Sequence, residues 1–382
     1  MPLDALIVDA LRSPIGRRDG TLAKLRADEL AGQVLNGLVR RQALDPAEIE
    51  DVQMGCVSQV GEQGWNIGRM AVLVAGWSES VCGTTVDRQC GSSMQASFNA
   101  AAAVSAGQLD LVIAAGVESM SRVPMGSSGG DLSDVLTDRF EIVPQGISAE
   151  VIADEWGLTR EELDDYSLES HRRAIAAIDA GRFEDEIVPI ELMNPHVGTL
   201  FAVDETPRRD TSAEKLAALP PAFLPDGKIT AANSSQICDG AAAVLIASED
   251  AASRLGLEPR GRFVSFGLAG VDPHRMLHGN PEACEKALAR AGLSWDDVAV
   301  IEVNEAFASV VLQFVRDAGL VERMADVNPN GGGISLGHPL GATGARITAT
   351  LLAELERRTA RYGIATMCIG FGQAIAAVIE RL

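Results

Sequence analysis

The sequence has 382 residues, 47% of them hydrophobic, with 38 glycines, a balance that excludes disorder and implies more than one simple core. Its 32 basic and 53 acidic residues leave a net charge of −21, a field that repels polyphosphate backbones and argues against a nucleic-acid partner. No stretch approaches the roughly 20 continuous apolar residues of a membrane span, and Cys56, Cys82, Cys90, Cys238, Cys284 and Cys368 form no CxxC pair, which points to a reducing cytoplasm rather than a disulfide framework.

The start, "MPLDALIVDALRSPIG", lacks the basic region of a secretory signal and reads as a strand, Ala5 to Val8, entering a turn at Ser13-Pro14. "DVQMGCV", "GWNIGRMAVLVAG", the alanine-rich "SSMQASFNAAAAVSA" ending at Gly107, and "LDLVIAAGVES" alternate strand and helix. That rhythm calls for a largely parallel sheet with helices on both faces. Between about residues 120 and 240 loop signals dominate, as in "SRVPMGSSGGDLSD" and "NPHVGTLFAVDETPRRDTSAEKLAALPPAFLPDGK". One helix stands out there, "TREELDDYSLESHRRAIAAIDAG", with a Thr159/Glu162 capping box and Gly181 as its stop. Its acidic pair Asp164-Asp165 reads as a solvated face, His171 as part of its polar side, and His196 as a loop residue. The alternation then returns in "DVAVIEV", "NEAFASVVLQFVRDAG", "ATGARITATLLAELERR" and "YGIATMCIGFGQAIAAVIE". Order and spacing suggest an internal duplication interrupted by an inserted, functional segment.

Four stretches carry candidate chemistry. Cys90, in "VDRQCGSSMQA", lies in a polar turn just before the alanine-rich helix, where unpaired N–H groups are expected to lower a thiol pKa. Gly91 there leaves room for a substrate to approach the backbone. Alone, an inert turn cysteine is the simpler reading. Asn304-Glu305 follow a hydrophobic strand at the carboxyl edge of a sheet, where α/β proteins place sites, although Asn304 also suits a helix N-cap. His338, in "NPNGGGISLGHPLGATGARI", sits in a glycine loop that matches neither GxGxxG nor GxxxxGK[ST], so a nucleotide loop is a poor reading. A turn histidine becomes interesting once a nucleophile such as Cys90 needs a base. Cys368, in "ATMCIGFGQA", alone would be a buried strand cysteine. His274 and His278 have a helical metal spacing but no third ligand nearby, and read as ordinary loop residues.

Taken together, "DRQCGSS", "NEAFA", "GGGISLGHPLGATGAR" and "CIGFG" resemble the thiolase family, the acyl-CoA C-acyltransferases, in family order, and "ITAANSSQICDGAAAVLIAS" resembles its coenzyme A segment. The resemblance spans nearly the whole chain. It implies an α/β fold of two similar βαβαβαββ halves in a layered α-β-α-β-α core. The N-terminal half covers 1–119, completed by 241–259; the inserted loop and coenzyme A domain covers 120–240; the C-terminal half covers 260–382. Carried over by position, Cys90 becomes acylated, His338 is its base, and Cys368 is the acid/base at the α-carbon of acetyl-CoA. Asn304 holds a water that, with His338, forms one oxyanion hole, and the N–H groups of Cys90 and Gly370 form a second. Ser235 matches a pantetheine-binding serine, with Arg208 and Phe223 at the adenine end. The resemblance implies no metal and no resident cofactor, coenzyme A being a substrate. It also implies acyl-CoA and coenzyme A as partners, a cytoplasmic homodimer or homotetramer, and a role in fatty acid β-oxidation.

Two departures bear on substrate. Pro144-Gln145 precede "GISAE" where acetoacetyl-specific biosynthetic members have a His-Met pair, and "CIGFGQA" has Phe371 and Gln373 where glycine and methionine are usual. Loss of the pair widens the acyl pocket, and Phe371 is expected to reshape its floor beside Cys90. The expected activity is therefore thiolytic cleavage of 3-ketoacyl-CoA, with an acetoacetyl-CoA-specific acetyl-CoA acetyltransferase as the alternative. A ketoacyl synthase lacks the second thiol. A cysteine protease leaves "CIGFG" unexplained, and a non-catalytic acyl-CoA binder has no need of all four polar groups.

Overall fold

A computed structural model of the chain describes residues 4–192 and 198–382; His196 lies outside them. The first half runs β1 (Leu6–Arg12), the two-residue β2 (Gly16–Arg17), α1 (Ala27–Arg41), β3 (Asp51–Gly55), α2 (Ile67–Val74), β4 (Cys82–Val86), α3 (Ser92–Ser105) and β5 (Leu111–Ser119). The insertion carries α4 (Asp134–Thr137), α5 (Gln145–Glu155), α6 (Arg160–Asp179), the hairpin β6 (Ile190–Leu192) with β7 (Thr199–Phe201), and α7 (Ala213–Ala217). After β8 (Cys238–Ala247) and α8 (Glu249–Leu255) the second half runs β9 (Gly261–Gly270), α9 (Asn280–Ala291), β10 (Val298–Val303), α10 (Ala308–Asp317), α11 (Thr343–Arg358), β11 (Tyr362–Ile369) and β12 (Gln373–Arg381).

The duplication is visible in the strand order. The first half pairs β4-β3-β5-β8-β1 and the second pairs β10-β11-β12-β9, with a parallel bridge from Ile301 to Val327 where the first half has β4. In each half the site-bearing strands are parallel neighbours, β3 with β5 and β10 with β11, and an antiparallel strand follows. Short pairing of Leu6 with Arg262 and Ile7 with Gly261 joins the halves.

Strands of this kind are buried on both faces, so their apolar runs divide by alternation. Leu6, Val8 and Leu11 pack outward with α1 and α2, whereas Ile7 and Ala10 face a central core that holds Met94, Ala96 and Ala100 of α3 with Ala345, Ile347 and Leu351 of α11. Outside the second sheet lie Cys284 and Ala287 of α9 and Val310, Val311 and Phe314 of α10. Small residues let the central helices close up: a Cβ on Gly344 would fall 2.3 Å from the Met94 backbone nitrogen. The result is five layers, α-β-α-β-α, with α3 and α11 in the middle and their N-termini at one edge.

The insertion differs from its sequence reading at two side chains. Asp164 is buried, bonded to Arg160 at 2.7 Å and to Asn233 at 3.0 Å, rather than solvated. His171 is also buried, and its Nδ1 accepts the Arg208 backbone N–H at 3.2 Å. Burial, then the Arg208 charge, pushes that imidazole down to about 4. The Asn233 and Arg208 contacts come from distant loops that cover α6.

Candidate active site

Cys90 ends the turn between β4 and α3. Gln89 ahead of it takes a left-handed backbone (φ 47°), and the Ser92 hydroxyl ties back to the Gln89 carbonyl at 2.5 Å. Gly91, the α3 N-cap, is required by the protein's own packing: a Cβ there would meet Ile369 Cδ1 at 2.6 Å and Ile375 Cγ2 at 3.1 Å. The nucleophile turn therefore lies directly on the β11–β12 hairpin. Cys368 is the penultimate residue of β11, and Gly370, Phe371 (φ 61°) and Gly372 (φ 82°) turn the chain into β12.

The electrostatics correct one expectation. Burial pushes the Cys90 thiol up to about 12, although its own N–H and that of Gly370 both bond to the sulfur and oppose the shift. Desolvation outweighs the helix terminus here. The Cys368 thiol is also pushed up, by burial and then by Cys90 beside it. Burial, with the buried Arg346 cation adding to it, pushes the His338 imidazole down to about 3. The resting site holds two protonated thiols and a neutral histidine.

His338 is fixed from both sides of its ring. The Thr343 hydroxyl donates to the Pro339 carbonyl at 2.9 Å, so its oxygen is left to accept from His338 Nδ1–H at 2.6 Å. That assigns the lone pair to Nε2, which faces the Asn304 amide nitrogen at 3.3 Å. Asn304 is not a helix N-cap. Phe307 caps α10, while Asn304 is held by its N–H on the Thr366 carbonyl at 2.9 Å. Its Oδ1 is buried with no protein partner, which suits an amide that also holds a water.

Cys90, His338 and Cys368 line one cavity of about 870 Å³, which Ser235, Arg208 and Phe223 also line. Phe223 stacks edge-on against Phe307 at 6.1 Å. Gln145 is in the wall, but Phe371 is not among the lining residues; its side chain is 46% exposed, so it does not form the floor expected of it. Gln373 is instead bonded to Arg88 at 2.7 Å, tying the hairpin to the nucleophile turn.

Two lining residues escaped the sequence reading. Arg17 and Arg18 reach the rim because β2 pairs with the start of β8, Arg17 opposite Cys238. Only the doublet "GRRDG" hinted at them. Their pairing is loose, 4.0 Å from Arg17 to Glu205 and 3.7 Å from Arg18 to Asp19, and Arg208 makes no ion pair among the described residues. A mouth with available cations in a chain of net charge −21 suits an anionic ligand.

Comparison with known proteins identifies the family and the fold. The family description "Thiolase, N-terminal domain" matches residues 5–250 and "Thiolase, C-terminal domain" matches 257–381. The chain is 44% identical over 392 residues to a steroid 3-ketoacyl-CoA thiolase of Mycobacterium tuberculosis, covering 99% of this chain and 94% of that one. It is 46% identical over 387 residues to a 3-ketoacyl-CoA thiolase of Psychrobacter cryohalolentis, covering 100% and 99%. Among solved structures it resembles the Bacillus anthracis acetyl-CoA acetyltransferase (TM-score 0.92, 39% identity, 100% and 99% covered). It also resembles the human mitochondrial 3-ketoacyl-CoA thiolase (TM-score 0.91, 36% identity, 100% and 99% covered).

Proposed function

The chain belongs to the thiolase family, and from that premise we propose that it cleaves 3-ketoacyl-CoA with coenzyme A, giving acetyl-CoA and a shortened acyl-CoA. The observation that carries the reading is the meeting of Cys90, from the first half, with His338 and Cys368, from the second, on one cavity.

In the first step His338 Nε2 takes the Cys90 proton as sulfur attacks the 3-keto carbon. The bond between C2 and C3 breaks, its electron pair passing to acetyl-CoA as an enolate. The enolate oxygen sits at His338 and the water held by Asn304, and the Cys368 thiol delivers a proton to C2. In the second step the Cys368 thiolate takes the proton of coenzyme A, whose sulfur attacks the acyl-Cys90 thioester; the bond from the acyl carbon to Cys90 then breaks, and the Cys90 thiolate takes back the proton held by His338. The tetrahedral oxyanion lies between the N–H groups of Cys90 and Gly370. Both N–H groups already point at the Cys90 sulfur, which supports that assignment. Ser235, Arg208 and Phe223 receive coenzyme A, and the inserted domain, 120–240, carries that subsite. No metal and no resident cofactor take part.

Assembly follows from an open edge. β4 ends the first sheet with half-exposed residues and no outer neighbour among the described residues, and Trp65 (88% exposed), Leu73 and Val74 flank it. An uncovered edge with apolar flanks favours pairing with a second copy. We take the enzyme as a homodimer or homotetramer. The cysteines are all free thiols, which suits a cytoplasmic enzyme, and the relatives named 3-ketoacyl-CoA thiolase support a degradative role; no helix of the described residues is long and apolar enough to cross a membrane.

Substrate length tests the reading. Gln145 lines the cavity and Phe371 does not. Each well-fitted methylene adds about 0.8 kcal/mol, or about fourfold in kcat/KM. In competition, 3-ketohexanoyl-CoA or a longer thioester is expected to be cleaved ahead of acetoacetyl-CoA. Preference for acetoacetyl-CoA would instead favour a biosynthetic acetyl-CoA acetyltransferase, the activity named for the Bacillus anthracis neighbour.

A further inference from the structure

Glu305 and the glycine pair Gly332-Gly333 have no part in the chemistry above, yet they are packed on one another. A Cβ on Gly332 would lie 2.5 Å from the Glu305 carboxyl carbon. Glu305 is wholly buried, and its carboxylate accepts four bonds. Tyr166 Oη at 2.7 Å and Asn328 Nδ2 at 3.1 Å reach Oε1; Ser170 Oγ at 2.7 Å and the Ile334 N–H at 3.0 Å reach Oε2. Four donors fill the acceptor capacity of a carboxylate.

The donors come from three parts of the site's support. Tyr166 and Ser170 lie one turn apart on α6 of the insertion. Asn328, in a left-handed backbone (φ 46°), clips the end of β10 by bonding Val303 N–H at 2.8 Å and Val303 C=O at 2.9 Å. Ile334 is in the loop that leads to His338. That loop presses on the neighbouring amide: a Cβ on Gly333 would fall 3.2 Å from Asn304 Oδ1. Gly332 and Gly333 are there for close packing on the Asn304-Glu305 turn, while Gly331 takes a left-handed backbone (φ 78°) against Ser170 and Ser335.

We infer that Glu305 is a positioning residue, clamping the turn that presents the Asn304 amide to His338 and so setting the carbon–carbon half of the reaction without touching substrate. This rests on the reading that Asn304 and His338 hold the enolate oxygen. Glutamine in its place offers one acceptor and one donor. The Tyr166 and Ser170 hydroxyls can rotate to suit, but the Ile334 N–H and the Asn328 amide are fixed by backbone, so one of them meets an N–H and the turn must shift. His338 keeps its own anchors at Thr343 and at the Gln236 carbonyl, so acylation of Cys90 is spared.

The test compares Glu305→Gln and the milder Tyr166→Phe with Asn304→Ala. Two rates are read: deuterium exchange at the α-carbon of acetyl-CoA, and acylation of Cys90 by acyl-CoA followed by intact mass. Exchange should fall about tenfold to a hundredfold in Glu305→Gln and a few-fold in Tyr166→Phe, with acylation held within about threefold. Equal loss of both rates in folded variants, or exchange unchanged, overturns the inference. Should Glu305→Gln fail to fold, Tyr166→Phe decides on the same criterion. Asn304→Ala keeps the two claims apart. If it leaves exchange intact, the reading of the site fails. If it abolishes exchange while the other two variants retain it, only the positioning role fails.

Discussion

Cys90 sits one residue before the N-cap of α3, where free N–H groups favour a thiolate, yet burial pushes its thiol up to about 12. A thiol above the ambient pH is protonated, so thiolate content, and with it the alkylation rate, rises about tenfold per pH unit until the pKa is reached. Iodoacetamide modification of Cys90, followed by peptide mass spectrometry, is therefore expected to climb steadily from pH 7 to 10 and to be blocked by acyl-CoA. A plateau below pH 8 would mean a preformed thiolate–imidazolium pair. His338, pushed down to about 3, is neutral well below pH 5 and contributes no acid limb above it. The sequence pointed to both residues through their turns but misjudged the thiol, because desolvation depends on walls contributed by the other half of the chain.

Gly91 shows what a single element boundary must satisfy. Its missing side chain lets the β4–α3 turn lie on Ile369 and Ile375, so Gly91→Ala should displace the nucleophile. Overpacking of this kind costs about 1–3 kcal/mol. Activity should drop by tenfold or more and Tm should fall; adding Ile369→Val, which removes the clashing Cδ1, should restore most of both. A double variant no better than Gly91→Ala would mean the hairpin is not what Gly91 accommodates. Elements marked by local chemistry were legible: the Thr159/Glu162 capping box and the stop at Gly181 stand as read. The alternative of Asn304 as an N-cap did not hold, since its turn is fixed by the Thr366 carbonyl and by Tyr166, Ser170, Asn328 and Ile334 around Glu305, all distant in sequence. The same holds for Asp164 and His171, whose covering loops carry no periodic signal.

At the scale of the whole molecule, duplication explains why chemistry gathers at one edge. Corresponding turns follow β4 and precede α3 in one half and precede α11 in the other, delivering Cys90 and His338; the ends of β10 and β11 deliver Asn304 and Cys368. This was legible in strand–helix order and in the motifs, whereas the rim arginines were not, because β2 pairing places them. Arg18→Ala with Arg208→Ala should raise KM for coenzyme A thioesters roughly three- to tenfold, an exposed-charge effect. The double substitution should leave thioesters of pantetheine, which lack the nucleotide phosphates, unchanged; equal effects on both would rule out a phosphate contact. The central claim is that Cys90 handles the acyl group and Cys368 handles carbon. The most direct measurement is made on Cys368→Ala, reading intact mass after exposure to acyl-CoA and α-carbon deuterium exchange of acetyl-CoA on the same preparation. A single acyl adduct on Cys90 with exchange abolished is the expected result, and exchange that persists while the adduct is lost would contradict the assignment.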